Sequence, residues 1–373
     1  MQFVTSTELK SKHNYCLGIT QWKRGIFNAY LGGRSNCTYM PRKQFRTAFE
    51  KAKKHDGRVI SWASSTPENL PIFAKSMGVE LILVEDGFIR SSGLGIKLFH
   101  PGSLCFSHFG IHYDPTQPND LCEFMKSHTF TPEEEARGQE IIEAITSRGI
   151  SKYNADKGDA TTGWPTPSGE HNGSKKILII GQVGDDASLR KGRGNVGSND
   201  ELVNQVRIDN PDASIIYRPH PDVTSKLREG RVDTSWLSKL DIIPVEHGNL
   251  IDLIDLADEV HVVSSQTGLE ALLRGAHVVC HGRPFYAGWG LTEDVHGRED
   301  LESAKPKLSL AQLAYAVYDA YPIYVDPFTR EECDVFHMME LVQTSKDWPR
   351  PHPICLTGVW LKRYKRRLFG LGG

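Results

Sequence analysis

Eight short aliphatic runs, each closed by glycine, serine or a charged residue before a helix-like stretch, constrain the fold more than any other feature of this sequence. They are Tyr15–Thr20 (YCLGIT), Val59–Ala63, Glu80–Val84, Lys176–Ile180, Ala213–Tyr217, Asp241–Val245, Glu259–Val263 and His277–Cys280. Short β-branched runs separated by helical segments make βαβ units, whose parallel sheets are buried on both faces. Between the third and fourth runs lies Ser151–Lys175, polar and rich in Gly, Thr, Ser and Pro, which reads as a long loop or linker. A chain of 373 residues suits two domains at roughly 150 residues each. The expected fold is therefore α/β, with two Rossmann-like domains whose parallel sheets face each other across a cleft. The expected boundaries are residues 1–165 for an N-terminal domain and 176–325 for a C-terminal domain, with 326–373 a helical extension ending in a basic tail. In such sheets ligands bind beyond the carboxyl ends of the strands, so the residues that end each run carry the functional expectation.

Charge and cysteine content narrow the class. The 44 Lys and Arg against 46 Asp and Glu leave a net charge of −2, without the basic excess of a nucleic-acid binder. The seven cysteines are odd in number, scattered and without a CxxC pair, which fits a reducing cytosol and indicates neither a disulfide framework nor a zinc ribbon. The N-terminal stretch MQFVTSTELKSKHNY has no apolar signal core, and no apolar run approaches the ~18 residues of a membrane span. The expected location is the cytoplasm, or the inner face of the inner membrane as a peripheral protein.

Five strand-end motifs carry chemistry. After ELILV comes Glu85-Asp86-Gly87-Phe88, an adjacent carboxylate pair in which burial or like charge can raise one pKa for acid/base work; a solvated acidic turn would look the same. After KILII comes Gly181-Gln182-Val183-Gly184-Asp185-Asp186-Ala187-Ser188, where a carboxylate suits a nucleophile or a metal, or simply caps the next helix. In Tyr217-Arg218-Pro219-His220-Pro221 the two prolines fix where the imidazole points. Ser264-Ser265-Gln266-Thr267-Gly268-Leu269-Glu270 opens a helix, where hydroxyls and free N–H groups attract anions or serve as ordinary caps. Glu270, about one turn in, is placed to accept from ribose hydroxyls. His281-Gly282-Arg283-Pro284-Phe285-Tyr286-Ala287-Gly288-Trp289-Gly290 suits either a wall that stacks on a sugar or base, or a packed loop.

Taken together, these motifs look familiar. The order acidic-acidic-Gly, His-Pro, Ser-Ser resembles bacterial CMP-sialic acid transferases of the GT-B type. EDGFIRSSGLG, IHYD (Ile111–Asp114), GQVGDDAS, YRPHPDV, SSQTGLEALLRG and GRPFYAGWGLTED resemble more closely the capsular polysaccharide synthesis family of retaining β-Kdo transferases, from about Leu17, through Trp22-Lys23-Arg24, to about Tyr324. Many members of that family carry two such modules in tandem; one is present here.

The resemblance implies CMP-β-Kdo as donor, no cofactor and no metal, and a lipid-linked or Kdo-glycan acceptor. Retention of configuration requires two inversions and a covalent glycosyl-enzyme intermediate. The family's nucleophile falls on Asp186, the fourth residue after Gln182, with Asp185 its neighbour in register. Glu85 is the implied acid/base, with Asp86 second. His220, Ser264 and Ser265 would bind the CMP phosphate, with Gln182, Gln266 and Thr267 nearby, and Glu270 would hold the ribose. Arg190, Lys191, Arg193, Arg218 and Arg283 are the cations available to the Kdo carboxylate. In the tail, Val359–Phe369 sets five cations among aromatic and aliphatic residues, which suits an anionic membrane surface or a solvated terminal helix. The competing readings are another GT-B enzyme, either an inverting CMP-sialic acid-type transferase or a UDP-sugar epimerase, and a non-catalytic capsule-assembly module at the membrane.

Overall fold

The structure, a computed structural model, describes residues 2–93, 98–154, 163–165, 174–192, 194–225, 228–295 and 305–350. Among these, two sheets carry the fold. The first contains β1 (Asn14–Leu17), β2 (Cys37–Met40), β3 (Arg58–Trp62), β4 (Leu81–Asp86) and β5 (Ser103–Ser107). It is completed by β12 (Pro322–Val325) and β13 (Glu332–Cys333). The second contains β6 (Lys176–Ile180), β7 (Ser214–Arg218), β8 (Ile242–Pro244), β9 (Glu259–Val262), β10 (His277–Cys280) and β11 (Glu293–Asp294).

The second sheet is parallel throughout, in the order β8-β7-β6-β9-β10-β11. The strand order thus reverses between β6 and β9, as it does in dinucleotide-binding folds. Ile177, Leu178 and Ile179 are all fully buried, each worth roughly 1.5–3 kcal/mol by burial, which explains why KILII lacks alternation. Ser198 caps the helix Asn199–Asp209, whose Leu202, Val203 and Val206 pack on Ile177, Ile179 and Ile215.

The first sheet runs β2-β1-β3-β4 in parallel and then turns antiparallel through β5, β12 and β13. The α/β, GT-B-like class expected from the sequence is therefore present, with a Rossmann-like sheet in each unit.

The units are divided differently from the expected boundaries. Residues 4–109, 152–154 and 321–350 belong with the first sheet, and 110–151 belong with the second. The reason is local. The helix Pro132–Ser147, begun by a Thr131/Glu134 capping box, packs on the helix Leu310–Tyr315, begun by a Ser309/Gln312 box. A side chain at Gly138 would collide with the carbonyl of Ala311, so glycine permits the approach, and Gln312 Nε2 donates to Glu135 at 2.6 Å. The segment 326–373, expected to be helical, contributes β13 and the helix Val335–Thr344. The basic tail Val359–Phe369 lies outside the described residues. So does most of the 151–175 stretch, although Trp164 donates to Ser214 Oγ at 2.9 Å.

Candidate active site

In the first unit, the carboxyl ends of three parallel strands deliver charge. Lys23 follows β1, Trp62 ends β3 with Ser64 just beyond it, and Glu85 and Asp86 end β4. Glu85 accepts hydrogen bonds from the backbone N–H groups of Ser64 (3.1 Å) and Asp86 (3.3 Å). Asp86 pairs with Arg90 Nε at 2.8 Å and with Lys23 Nζ at 3.6 Å. The Lys23 ammonium stands over the Trp62 ring, 3.2 Å from its centroid. Arg90 is itself buried, and its Nη1 donates to Ser91 Oγ and the Phe99 carbonyl.

The two adjacent carboxylates are driven apart. Burial, and then the charge on Asp86, raises the Glu85 pKa. Burial also opposes ionisation of Asp86, but Arg90 and Lys23 outweigh it and hold that carboxyl well below the usual range. Burial pushes Lys23 down to about 8. Of the pair, Glu85 is thus the carboxyl that holds its proton more readily, and Asp86 is a fixed anion. Gly87 admits the close approach of β5: a side chain there would strike Ser103, whose carbonyl accepts the Gly87 N–H at 3.0 Å.

In the second unit, β6 and β9 meet where the strand order reverses, and their ends bring Gln182 and Ser264 into contact. The Gln182 carbonyl oxygen accepts the Ser264 N–H at 2.8 Å, and its amide donates to Ser264 Oγ at 3.2 Å. A hydroxyl that accepts from Gln182 keeps its own proton to donate. Asn199 fixes the Gln182 backbone through both its N–H (2.9 Å) and its carbonyl (2.7 Å).

Asp186 leads into the helix Ala187–Gly192, its Oδ1 accepting from Ser188 N at 3.0 Å and Ser188 Oγ at 3.3 Å. Among the described residues its other carboxylate oxygen takes no hydrogen bond. Asp185 differs: it is largely exposed and bound to Arg228 at 2.6 Å. His220 ends the β7 segment, and its Nδ1 accepts the Asp222 N–H at 3.1 Å, which places the ring proton on Nε2. Ser265 caps the helix Gln266–Leu273, with Gln266 and Thr267 in its first turn.

The remaining expected residues divide. Arg190 is exposed on the helix that Asp186 begins. Lys191 pairs with buried Asp114, the last residue of IHYD, at 2.7 Å. Arg218 is buried, and its guanidinium donates to the carbonyls of Val245 and Gly248, bracing the loop after β8. Glu270 is buried within its helix. The Arg283 N–H donates to the Gly192 carbonyl at 2.5 Å. Arg193 lies outside the described residues. The aromatic motif is a packed loop: Phe285, Tyr286 and Trp289 are buried, and the Tyr286 hydroxyl donates to the Ser265 carbonyl at 2.5 Å, bracing the Ser-Ser motif.

Lys23, Trp62, Ser64, Arg90, Asp114 and Asn199 are partners that strand-end motifs alone did not single out as site residues. For Lys23 and Trp62 the available signal was position, since both lie at the ends of expected strands. Among the described residues, Glu8, Glu80 and His108 form a cluster of metal-ligating types. Arg58 pairs with both acids there (3.6 and 3.4 Å), so the cluster is an ion-pair network.

Residues 58–325 match the family described as Capsule polysaccharide biosynthesis protein. The chain is 35% identical over 353 residues to the capsule polysaccharide modification protein LipA of Neisseria meningitidis, covering 94% of this chain and 48% of that protein. It is 31% identical to the lipopolysaccharide-processing protein LpsZ of Rhizobium meliloti, covering 89% of this chain and 75% of LpsZ. It thus spans about half the length of the Neisseria relative. Two solved structures from Thermosulfurimonas dismutans resemble it. One is KpsC beta Kdo 2,4 transferase, with a TM-score of 0.72, 27% identity and coverage of 89% of this chain and 98% of that one. The other is KpsC beta Kdo 2,7 transferase, with a TM-score of 0.67, 30% identity and coverage of 90% and 100%. Matched across most of its length and carrying the strand-end motifs described above, the chain belongs to the capsule polysaccharide biosynthesis protein family.

Proposed function

We propose that this chain is a retaining glycosyltransferase that moves Kdo from CMP-β-Kdo to a lipid-linked or Kdo-glycan acceptor in capsular polysaccharide biosynthesis. The likeness to two β-Kdo transferase structures along nearly their whole length supports the substrate class. The observation that carries the reading is the polar clamp at the reversal of the second sheet. There Gln182 orients Ser264, and the His220 tautomer presents an N–H at Nε2, so neutral donors are arrayed for the phosphate of a departing nucleotide.

In the first step an Asp186 carboxylate oxygen attacks the anomeric carbon of Kdo. The bond from that carbon to the phosphate oxygen breaks, and CMP leaves with the electron pair. In the second step the acceptor hydroxyl attacks the same carbon from the opposite face, Glu85 takes its proton, and the Asp186 carboxylate departs. Asp186 suits the nucleophile better than Asp185, whose oxygen is bound to Arg228. Glu85 suits the base better than Asp86, which is locked by two cations.

Incubation of Glu85→Gln protein with CMP-Kdo, followed by intact mass spectrometry and peptide mapping, tests the mechanism. The expected result is a gain of one Kdo on the peptide containing Asp186, absent in Asp186→Ala, which also loses at least 1,000-fold in transfer (on the order of the losses for removed nucleophiles). Full transfer by Asp186→Ala would overturn the assignment. Stabilisation by UDP in place of CMP in a thermal-shift assay would favour the epimerase-type alternative.

A further inference from the structure

Glu85, Asp86, Arg90 and Lys23 make a quartet of two anions and two cations at the carboxyl end of the first sheet's parallel strands. Arg90, at 2.8 Å, already neutralises Asp86. A second cation beside Asp86 exceeds what that carboxylate needs, and the remaining negative charge is Glu85. Lysine is also an expensive choice here: its side chain is only 12% exposed, and an ammonium pays for lost hydration. The Trp62 face, with its negative quadrupole, returns part of that cost.

We propose that Lys23 is a positioning residue for the acid/base site, its ammonium supplying the counter-charge that keeps Glu85 ionised and ready to accept a proton. Arg90 cannot lose its proton under physiological conditions, whereas Lys23 can. Without that counter-charge, burial and the Asp86 charge would raise the Glu85 pKa further, so Lys23 extends the acid side of the range in which Glu85 is ionised. The direction of both shifts agrees: Lys23 opposes the rise that burial imposes on Glu85, and burial lowers Lys23. The other groups that act on the quartet are the indoles of Trp22 and Trp62 beside Lys23, Lys152 on Asp86, Cys105 on both carboxylates, Tyr153 and His100 on Arg90, and Tyr30 on Asp86 and Arg90.

This inference rests on Glu85 being the acid/base, so its test includes a readout that needs no turnover. In full-length protein labelled with 5-fluorotryptophan, the Trp62 resonance is assigned among the seven tryptophans by its loss in Trp62→Phe. That resonance is expected to titrate with a midpoint near 8 in the wild type and to be flat over the same range in Lys23→Arg. A flat wild-type resonance, or an unchanged titration in Lys23→Arg, overturns the proposal. The kinetic arm measures kcat/KM against pH. Lys23→Arg is expected to keep the acid limb, because the counter-charge remains. Lys23→Met is expected to move the acid limb toward neutrality, with about a tenfold loss at pH 6. Loss independent of pH in Lys23→Met, together with no rescue by Lys23→Arg, would reduce Lys23 to packing. If the wild type shows no transfer from CMP-Kdo at any pH, the functional reading fails while the fluorine titration still decides the role of Lys23.

Discussion

The two units place chemistry at the same position, the carboxyl ends of parallel strands, with opposite materials. The first uses full charges packed close together: Glu85 and Asp86 against Arg90 and Lys23. The second, around the proposed phosphate position, uses neutral dipoles: a glutamine amide, serine hydroxyls, an imidazole tautomer and a helix start. The difference follows from the task each is proposed to perform. Moving a proton requires two titratable groups whose environments differ, and burial beside fixed charges creates that difference. Gripping a nucleotide phosphate requires donors that stay protonated at every working pH, and amides and hydroxyls do so without titrating.

This contrast predicts a hierarchy of damage. Asp86→Asn strands the buried Arg90 and leaves Lys23 without its anion, so a loss of about 3–5 kcal/mol in unfolding free energy is expected in a denaturant titration. The pH dependence has a defined sign. Asp86 has a depressed folded-state pKa, so its stabilisation is present above the ordinary carboxylate value and is lost as pH falls below it. The gap between wild type and Asp86→Asn should therefore close on acidification, and a gap constant from pH 7 to pH 3 would remove the ion-pair account.

In the second unit the penalties are smaller and fall on binding. Gln182→Ala removes both contacts to Ser264 and should weaken CMP about tenfold by calorimetry, in line with ~1–2 kcal/mol for such hydrogen bonds, while unfolding changes less than in Asp86→Asn. Equal CMP affinity in that variant would show that the clamp serves packing alone. The mildest change is His220→Asn, whose side-chain oxygen can still cap the Asp222 N–H while the Nε2 donor is gone. Thermal stability within about 1 °C of wild type, with CMP binding a few-fold weaker, is expected; unaltered CMP affinity would remove His220 from the phosphate site.

Most of the parallel strands were legible in the sequence because they are short, largely aliphatic runs: Lys176–Ile180 and His277–Cys280 coincide with the structure to the residue. The strands that escaped notice are written in other residues. β2 is CTYM, and β5 is SLCFS, buried along its whole length although Ser103 and Ser107 flank it with hydroxyls, the first paired to the Ile89 carbonyl and the second to the hydroxyl of Tyr321, 214 residues away. β12 (PIYV) sits among residues expected to close the other domain and pairs with β5. No local pattern reveals such a long-range pairing. At the proposed site, the motifs pointed to Glu85, Asp186, His220 and Ser264, but they do not separate residues that would face a ligand from those that brace them. Arg218 and Tyr286 lie within conspicuous motifs and hold backbone carbonyls, a distinction that depends on side-chain direction.

The return of β12 to β5 also has a consequence for how the chain is made. During synthesis β5 emerges about 200 residues before its neighbour, an interval of roughly 10–40 s at ribosomal speed. Throughout that time the nascent first sheet presents an unpaired edge, the kind of surface on which chains aggregate or recruit chaperones. An early-translated strand therefore waits on a late-translated partner, and the interval between them is when the first sheet is most open to wrong pairing.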